Sequence, residues 1–379
     1  MRSMNVKSKS LLLTAMVIGL VNLPSLSAGA KSWKEDTVLI SQRGDQTVVR
    51  PFEGHKTLFK NADPQLAVEW ALANARTTLL LAGKYVVSDC IDIPRDDVTL
   101  IIDQNAEISL NPETEHKVDI GFRCSKPGYW KLVPLIYNHG HDNVRVISLG
   151  TLVRSVWDDG NHAEGTIPIV FDGRNDERTC GVEGGLLVMT GPSAHAPLLL
   201  DAQGVHVPLV TLTGLDAAII LEGCENCNLG MIVNLASEPG GKTGETVDLN
   251  SSNRRITIER LVGERSQEII DMNGSHADVK EMVSVGNPQK LLCFCVGSGP
   301  RWTSRPRTAD RLDVWQAAVL EDAADVRRRI EAPKLPDALP RFTVKATVEV
   351  TLKDGSKKKY TKEVDIDVRD GGIKPQKKS

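Results

Sequence analysis

The stretches that decide the fold are Glu245-Thr-Val-Asp-Leu-Asn-Ser-Ser-Asn-Arg-Arg-Ile-Thr-Ile258 and Glu268-Ile-Ile-Asp-Met-Asn-Gly-Ser-His-Ala-Asp-Val-Lys280. The like residues of the two stretches, beginning with Glu245 and Glu268, are separated by 23 residues. A fixed period in the twenties, made of strand, polar turn and strand, is typical of a solenoid whose coils bury their apolar faces on each other. The pattern predicts stacked coils.

The same pattern of short apolar runs and polar turns extends from about Leu79 to Val296. Short β-branched runs alternate there with Gly, Asn, Asp and Ser, and no helical period separates them. Further runs of this kind begin at Pro134, Ile167 and Pro197, with another at Ala218. Leucine-rich repeats share the period, but their spaced leucines and helical return segment are missing, so we predict an all-β parallel β-helix.

Composition agrees with many short strands. The chain has 379 residues, of which 41 % are hydrophobic, 4 % are aromatic and 31 are glycine. This is too apolar for a disordered protein, and the core must consist mainly of Val, Ile, Leu and Ala. The formal net charge of -3 gives no reason to expect nucleic-acid binding.

The first thirty residues predict a signal peptide, residues 1–30. Arg2, Lys7 and Lys9 precede the apolar run Leu11–Leu23, and Ala28-Gly-Ala30 offers a cleavage site. Removing these three positive charges would change the net charge from -3 to -6. The apolar run is shorter than the ~20 residues that a bilayer span needs. We therefore expect an exported protein, periplasmic or extracellular, with no membrane span.

The rest of the chain is predicted to form three parts. Residues 31–300 form the β-helix with an N-terminal cap helix, which begins at Asp63-Pro64 and precedes the first coil at Thr77. Residues 301–333 hold a basic segment and an amphipathic cap helix over Thr308–Ile330. Residues 334–379 hold a Pro-rich linker, a β-hairpin around Asp354-Gly355 and a basic tail. The expected apolar face of the first helix comprises Leu66, Val68, Trp70, Ala71 and Ala75.

The cap helix, Leu79-Leu-Leu-Ala-Gly-Lys-Tyr85 and the Asp-x-Asn turns together resemble the right-handed parallel β-helix of pectin-lyase-like proteins, over roughly residues 55–300. Gly244-Glu-Thr-Val-Asp-Leu-Asn-Ser-Ser252 is similar to the polygalacturonase strand Asn-Thr-Asp-Gly-Ile-Asp-Ile-Ser-Ser-Ser, and Gln267-Glu268 falls at that family's Asp-Asp pair. Leu291-Leu-Cys293 replaces the family's Gly-His-Gly, and no Arg-Ile-Lys follows. The resemblance therefore implies the fold more specifically than the catalytic residues.

Strand alternation predicts a pair of stacked carboxylates. If the residues on either side of Asp248 and Asp271 enter the core, these two aspartates point outward on adjacent coils, about 4.8 Å apart. Such a stack is either a solvated ladder or an active site, and both interpretations stay open. Strict alternation would turn Glu245 and Glu268 inward, whereas a bend at the strand start, which the resemblance implies, would bring them to the cleft mouth.

Other residue groups have structural interpretations. Cys224 and Cys227 lie about three coils, ~14 Å, from Cys293 and Cys295, so one zinc cannot collect both pairs and no metal site is predicted. A disulfide between neighbouring coils stays open. Asn250 and Asn273 are expected to form an internal amide ladder.

Two histidines look catalytic in isolation. His139 and His141 are expected in a solvent-facing turn about four coils, roughly 19 Å, from Asp248. At that distance they cannot serve the same site.

Two long inserts, Asn111–Val133 and Arg154–Thr166, are expected to wall a cleft along the coils. Trp130 and Trp157 lie in them and could stack on sugar rings. The candidate substrate-binding residues are Trp130, Trp157, Arg255 and Lys290.

The leading hypothesis is an exported glycoside hydrolase that acts on a linear polysaccharide and uses no cofactor, and an acidic polysaccharide is left open as the substrate. One of Glu268 and Asp271 would donate a proton, while one of Glu245 and Asp248 would activate water or attack the sugar. A lyase or epimerase of a uronate polymer is the first alternative. It would hold Ca²⁺ on carboxylates and use Lys280, Lys290 or Arg255 as the base. The second alternative is a non-catalytic glycan-binding β-helix. The sequence does not determine the oligomeric state.

Overall fold

A computed structural model describes residues 37–368 except 112, 115–119, 121–129, 154–155, 159–162, 175–180, 194, 215–216, 238–242, 251, 273–274, 287–291, 294–318, 334 and 336–340. The predicted signal peptide, Lys290 and the basic tail lie outside the described residues. Of Trp130, Trp157 and Glu268 only the backbone is described.

Among the described residues, α1 (Pro64–Asn74) is the one helix and all other elements are strands. In chain order the first strands are β1 (Thr37–Arg43), β2 (Gln46–Pro51), β3 (Phe59–Asn61), β4 (Thr77–Leu80), β5 (Gly83–Val87), β6 (Ile91–Asp92), β7 (Thr99–Ile102), β8 (Ala106–Leu110), β9 (Trp130–His139), β10 (Arg145–Ser148), β11 (Thr151–Leu152), β12 (Val156–Asp158), β13 (Ala163–Asp172), β14 (Val182–Glu183) and β15 (Leu186–Met189). The remaining strands are β16 (Leu198–Leu200), β17 (Ala202–Gln203), β18 (His206–Thr213), β19 (Ile219–Glu222), β20 (Asn228–Leu235), β21 (Thr243–Leu249), β22 (Ile256–Glu264), β23 (Ser266–Met272), β24 (Ala277–Val279), β25 (Glu281–Val285), β26 (Leu292–Cys293), β27 (Val319–Glu331), β28 (Arg341–Leu352) and β29 (Lys357–Asp367).

Two long sheets dominate the described part of the chain. Sheet I has fifteen strands in the order β29-β28-β27-β25-β22-β20-β18-β15-β10-β7-β4-β1-β2-β3, with β24 beside β22. Sheet II has nine, in the order β26-β23-β21-β19-β16-β13-β9-β6, with β12 beside β13. From β6 to β26 the path of sheet II is parallel throughout. Between β4 and β26 the chain passes repeatedly from one long sheet to the other, in several coils through a strand of the small parallel sheets β11-β8-β5 and β14-β17. This path is compatible with the predicted β-helix.

The main core lies between sheets I and II. Val247 and Leu249 of β21 meet Leu261 of β22 and Ile232 of β20 there, all with no exposed surface. Because alternate residues of each strand enter this core, the residues between them face outward. That alternation sets which side chains can form a surface site on sheet II.

Helix α1 begins where the sequence predicts. Asp63 is its N-cap, and its carboxylate accepts a hydrogen bond from the Gln65 amide at 2.9 Å. The helix contacts strands β1 to β6. One residue of the expected apolar face is wrong: Leu66 is 46 % exposed, whereas Ala67 and Leu72 are buried. Val68, Ala71 and Ala75 of the predicted face are buried, and the strands that the helix packs against add Ala67 and Leu72 to it.

The predicted C-terminal helix over Thr308–Ile330 is wrong where the structure describes it. Residues Val319–Glu331 form β27. This strand pairs in parallel with β25 and antiparallel with β28, and its pairing with β28 has a register shift between Ala323 and Asp325. The apolar spacing fits a helical stripe as well as a strand. Pairing with the open edge of β25 decides in favour of the strand, because it satisfies backbone groups that a helix would leave unpaired on that edge.

The predicted hairpin around Asp354-Gly355 is confirmed as β28 and β29. It does not stand alone, because β27 joins it to the end of sheet I and the three strands pack against β18 of the same sheet. Arg328 of β27 donates to the Thr211 carbonyl of β18 at 2.9 Å, and Val344 and Val348 share an apolar cluster with Leu209 of β18. The described residues include no helix long and apolar enough to cross a membrane.

Candidate functional site

Asp248 and Asp271 are paired in register on β21 and β23, as the 23-residue spacing predicts. Asp248 is half-buried, and Asp271 is 9 % exposed. The residues on either side of each aspartate are in the core, so both carboxylates belong to the outer face of sheet II. The Asn250 amide lies 3.4 Å from Asp248 Oδ2 as a donor. The structure therefore forms the predicted carboxylate stack.

Glu245 and Glu268 are also paired in register, three residues before the aspartates. Glu245 is half-buried, although strict alternation would place it in the core. Thr246 and Val247 are both fully buried, so the alternation shifts between them. The Thr246 hydroxyl is hydrogen-bonded to the Ser266 hydroxyl at 3.3 Å, which holds this irregularity.

The buried amide of this region belongs to Asn253. Its side chain, with no exposed surface, donates to the Leu221 carbonyl at 3.0 Å and accepts from the Cys224 amide at 2.8 Å. Asn250 also donates to Asp248. The predicted Asn250–Asn273 ladder falls outside the described residues, because Asn273 is not among them. Asn253, three residues after Asn250, therefore provides the amide bridge of this turn, just before the chain enters β22 of sheet I.

A second polar group lies on the same face of sheet II, and the sequence analysis missed it. The Tyr137 hydroxyl donates to Asp172 Oδ2 at 3.1 Å, and Asp172 is only 4 % exposed. Arg174 grips the same carboxylate with two donors, Nε to Oδ1 at 2.9 Å and Nη2 to Oδ2 at 2.8 Å. Nη2 also donates to the Ile120 carbonyl at 2.6 Å. The guanidinium is thus fixed by Asp172, two residues away, and by the distant Ile120 carbonyl, while Tyr137 holds Asp172.

The environment keeps Asp172 ionised. Burial raises its pKa, but the hydrogen bonds and the charge of Arg174 outweigh burial and hold the pKa below the ordinary value. For Tyr137 burial is the larger cause and Asp172 adds to it, so the pKa of the phenol is raised. The phenol therefore stays protonated and remains a donor to the carboxylate.

Two further carboxylates continue this group toward Asp248. Glu222 ends β19, and because Ile220 pairs with Asp248, Glu222 lies diagonally next to Asp248 on the same face. The Asp201 amide donates to the Glu222 carbonyl at 2.8 Å. Desolvation raises the pKa of both Asp201 and Glu222, while Arg174 acts in the opposite direction. The sequence contained one pattern that could have predicted these residues. The apolar runs Ile167–Asp172 and Ala218–Glu222 both end with an acidic residue.

The predicted substrate-binding residues do not gather at Asp248. Trp130 begins β9, which pairs in parallel with β13, and Trp157 lies on β12, which pairs antiparallel with the start of β13. Arg255 follows the turn after β21, and its guanidinium pairs with Glu225. Lys280, the candidate base of the lyase alternative, follows β24 of sheet I and lines a cavity of about 500 Å³ with Glu259, Arg260 and Glu281.

The histidines and cysteines serve structure where they are described. His141 Nδ1 lies 3.0 Å from Asp96 Oδ1 in a turn, and the exposed His139 stacks on Tyr137 with ring centroids 5.0 Å apart. Cys224 and Cys227 are fully buried free thiols in the main core. Within the described ranges, no cluster of three or more His, Cys, Asp or Glu side chains could hold a metal ion.

Comparison with known proteins adds no identification. No model of a known protein family matches the chain, and no curated protein matches its sequence.

Proposed function

We propose that the protein is an exported carbohydrate-active enzyme, with a right-handed parallel β-helix of the pectin-lyase-like type, that hydrolyses glycosidic bonds of a linear polysaccharide. The observation that carries the proposal is the register pairing of Asp248 with Asp271 on the outer face of a long parallel sheet. Two adjacent carboxylates are the minimum machinery for glycoside hydrolysis.

The geometry supports this chemistry through the strands that carry the two aspartates. Core residues hold Asp248 and Asp271 on both sides, which limits their motion and favours a defined attack geometry. The two glutamates at the starts of the same strands complete the candidate acid and base set.

In the proposed mechanism, one of Glu268 and Asp271 protonates the glycosidic oxygen. One of Glu245 and Asp248 then activates water or attacks the anomeric carbon. Glu222 is a further carboxylate within reach of Asp248 by register. The cationic side chains of the lyase alternative do not lie beside this pair where they are described, since Lys280 is on sheet I and Arg255 pairs with Glu225.

The test is a panel of linear polysaccharides incubated with the full chain and with the variants Glu245→Gln, Asp248→Asn, Glu268→Gln and Asp271→Asn. Reducing-end release by the wild type, with at least one folded variant reduced by ~10²-fold or more, supports the proposal. Asp278→Asn is the matched control, because Asp278 is exposed on sheet I.

Three results would contradict the proposal. Unsaturated products, detected by ultraviolet absorbance, would mean β-elimination and therefore a lyase. Binding of a polymer without any turnover would mean a glycan-binding protein. Four folded variants with full activity would place the catalytic site away from these carboxylates.

A further inference from the structure

Strand β29 is the last strand of sheet I and has a long outer edge. It comprises the eleven residues Lys357–Asp367, and among the described residues β28 is the one strand that pairs with it. A sheet edge presents backbone N–H and C=O groups to any strand that can lie beside it. Strands are typically about 5–6 residues long, so β29 offers a longer pairing surface than an ordinary edge strand.

The turn between β28 and β29 shows which backbone groups point to this edge. Leu352 donates its amide to the Ser356 carbonyl at 2.8 Å and accepts from the Gly355 amide at 3.0 Å, so both of its backbone groups point toward β29. Because the direction alternates along an antiparallel ladder, the next pair, Thr351 and Lys357, point away from each other. Every second residue of β29 therefore directs its backbone groups away from β28. These residues are Lys357, Lys359, Thr361, Glu363, Asp365 and Asp367.

The side chains of these six residues follow an ordered sequence of charges. The first half of the strand carries lysines at 357 and 359, and the second half carries acids at 363, 365 and 367. Inside the hairpin these charges already accept opposite neighbours from β28. Glu349 lies 2.9 Å from Lys357 and 3.3 Å from Lys359, and Lys345 lies 3.0 Å from Glu363. The face of β29 is therefore built to lie beside a strand of complementary charge.

A second copy of β29 supplies that complementary strand if it runs antiparallel. The register that pairs all eleven residues has Lys362 at its centre. In this register the facing residues are those whose backbone groups point to the edge, so ladder hydrogen bonds and charge contacts form together. Twofold symmetry forms each contact twice. The facing pairs are Lys357 with Asp367, Lys359 with Asp365, and Thr361 with Glu363.

Lysine on an edge strand normally repels an incoming strand. In β29 this repulsion selects the direction, because a parallel copy in register would face lysine with lysine and acid with acid. The one like-charge pair of the antiparallel register is Lys362 with its own copy. Lys362 is already paired with Glu259 of β22, so each copy neutralises this charge itself.

We propose that two copies of this chain associate by antiparallel pairing of their β29 strands, which joins the two copies of sheet I across a twofold axis. The second copy is the chosen occupant because the charges of β29 complement its own sequence in the full-length register. The inference does not depend on the proposed function. A contact limited to one strand edge is smaller than the roughly 1,200 Å² of a stable complex, so the dissociation constant should be on the order of 1–100 μM.

Sedimentation equilibrium of the full chain over about 1–100 μM tests the proposal. The samples are the wild type, Asp365→Lys, Lys359→Glu and an equimolar mixture of the two variants. Each variant alone faces like charges across the twofold axis, whereas every such contact in the mixture again joins opposite charges. Asp278→Lys is the matched control, because it makes the same charge change at an exposed position of β24.

A backbone variant tests the ladder itself. Thr361→Pro removes an N–H that points to the outer edge of β29, and Pro is tolerated on an edge strand in that orientation. Circular dichroism and urea denaturation establish that each variant is folded. If Thr361→Pro does not fold, the charge variants and their mixture still decide the question.

We expect the wild type and Asp278→Lys to form dimers with the same dissociation constant. Asp365→Lys and Lys359→Glu should each weaken self-association by at least about tenfold, because two like-charge contacts replace two opposite-charge contacts. The mixture should recover dimers of nearly wild-type affinity, and Thr361→Pro should stay monomeric.

Three results overturn the proposal. A wild type that stays monomeric over the whole concentration range would show that β29 does not pair with a copy. Dimers of unchanged affinity in the folded charge variants would place the contact on another surface. A mixture of folded variants that stays monomeric would contradict the pairing of Lys359 with Asp365.

Discussion

Asp248 and Asp271 occupy directly paired positions on neighbouring parallel strands, so two like charges lie one strand spacing apart, about 4.8 Å, on the outer face of sheet II. Such a pair is either a ladder whose repulsion is relieved by solvent or an active site that uses both carboxylates.

Replacing either member of the stack should relieve like-charge repulsion. For Asp248→Asn and Asp271→Asn we expect the free energy of unfolding to stay unchanged or to rise by up to ~1 kcal/mol. Urea denaturation at neutral pH measures this, with Asp278→Asn as the exposed control. A loss of more than about 1 kcal/mol in both variants would show that the carboxylates stabilise the fold through their contacts.

Asp172→Asn, in contrast, should lower the free energy of unfolding. The variant keeps an acceptor for Tyr137 but removes the charge that Arg174 grips with two donors. Because hydrogen bonds to charged groups contribute more than neutral ones, we expect a loss of about 1–3 kcal/mol. Urea denaturation of the wild type and the variant at pH 7 gives this difference directly.

The same pair predicts a pH dependence. The pKa of Asp172 is lowered in the folded protein, so its stabilisation is complete above the unfolded pKa of about 4 and is lost as pH falls through the lower folded pKa. The stability difference between wild type and Asp172→Asn should therefore shrink when unfolding is measured at about pH 3 instead of pH 7. A difference that grows on acidification would contradict the assigned ion pair.

Gly223→Ala tests the close approach of Asp201. The new methyl group would meet Asp201 Oδ1 and would sit on a backbone with φ 67°. Gly355→Ala is the matched control, because Gly355 has φ 85° and a methyl group added there would meet nothing within 4 Å. Both should lose about 1 kcal/mol for the left-handed backbone. Gly223→Ala should lose clearly more, and equal losses would mean that Asp201 moves away without cost.

Val348→Ala tests whether the C-terminal layer is part of the fold. Val348 has no exposed surface and lies in the apolar cluster that joins β28 to sheet I. We expect a loss of about 2 kcal/mol in one cooperative transition shared with the coils. Thr351→Ala, half-exposed on the same strand, should change stability by less than about 0.5 kcal/mol. Separate unfolding of the hairpin, with the coils intact, would show that the layer is only loosely attached.

The cysteines allow a chemical check. Cys90, Cys224 and Cys227 are buried free thiols, so titration of the unfolded, unreduced protein should find at least three thiols per chain. The folded protein should react slowly, because all three thiols are buried away from the reagent. EDTA should leave the unfolding midpoint unchanged. Fewer than three thiols, or unfolding by EDTA, would contradict this.

The sequence by itself determined the features that depend on local period and spacing. The alternation around Asp248, the 23-residue repeat to Asp271 and the turn at Asp354-Gly355 each specify which residues pair, because a strand has a period of two and a coil adds one strand spacing. Asp63-Pro64 likewise specified the start of α1, since capping is a local interaction.

Only the tertiary structure decided the features that depend on a partner far along the chain. Val319–Glu331 is a strand because the edge of β25 offers backbone groups to pair with, a fact that no local pattern contains. The Ile120 carbonyl accepts from Arg174, and Tyr137 donates to Asp172, although these residues lie on separate segments that meet only in the folded chain. Side-chain networks of this kind follow from three-dimensional proximity, so this one could be found only after folding.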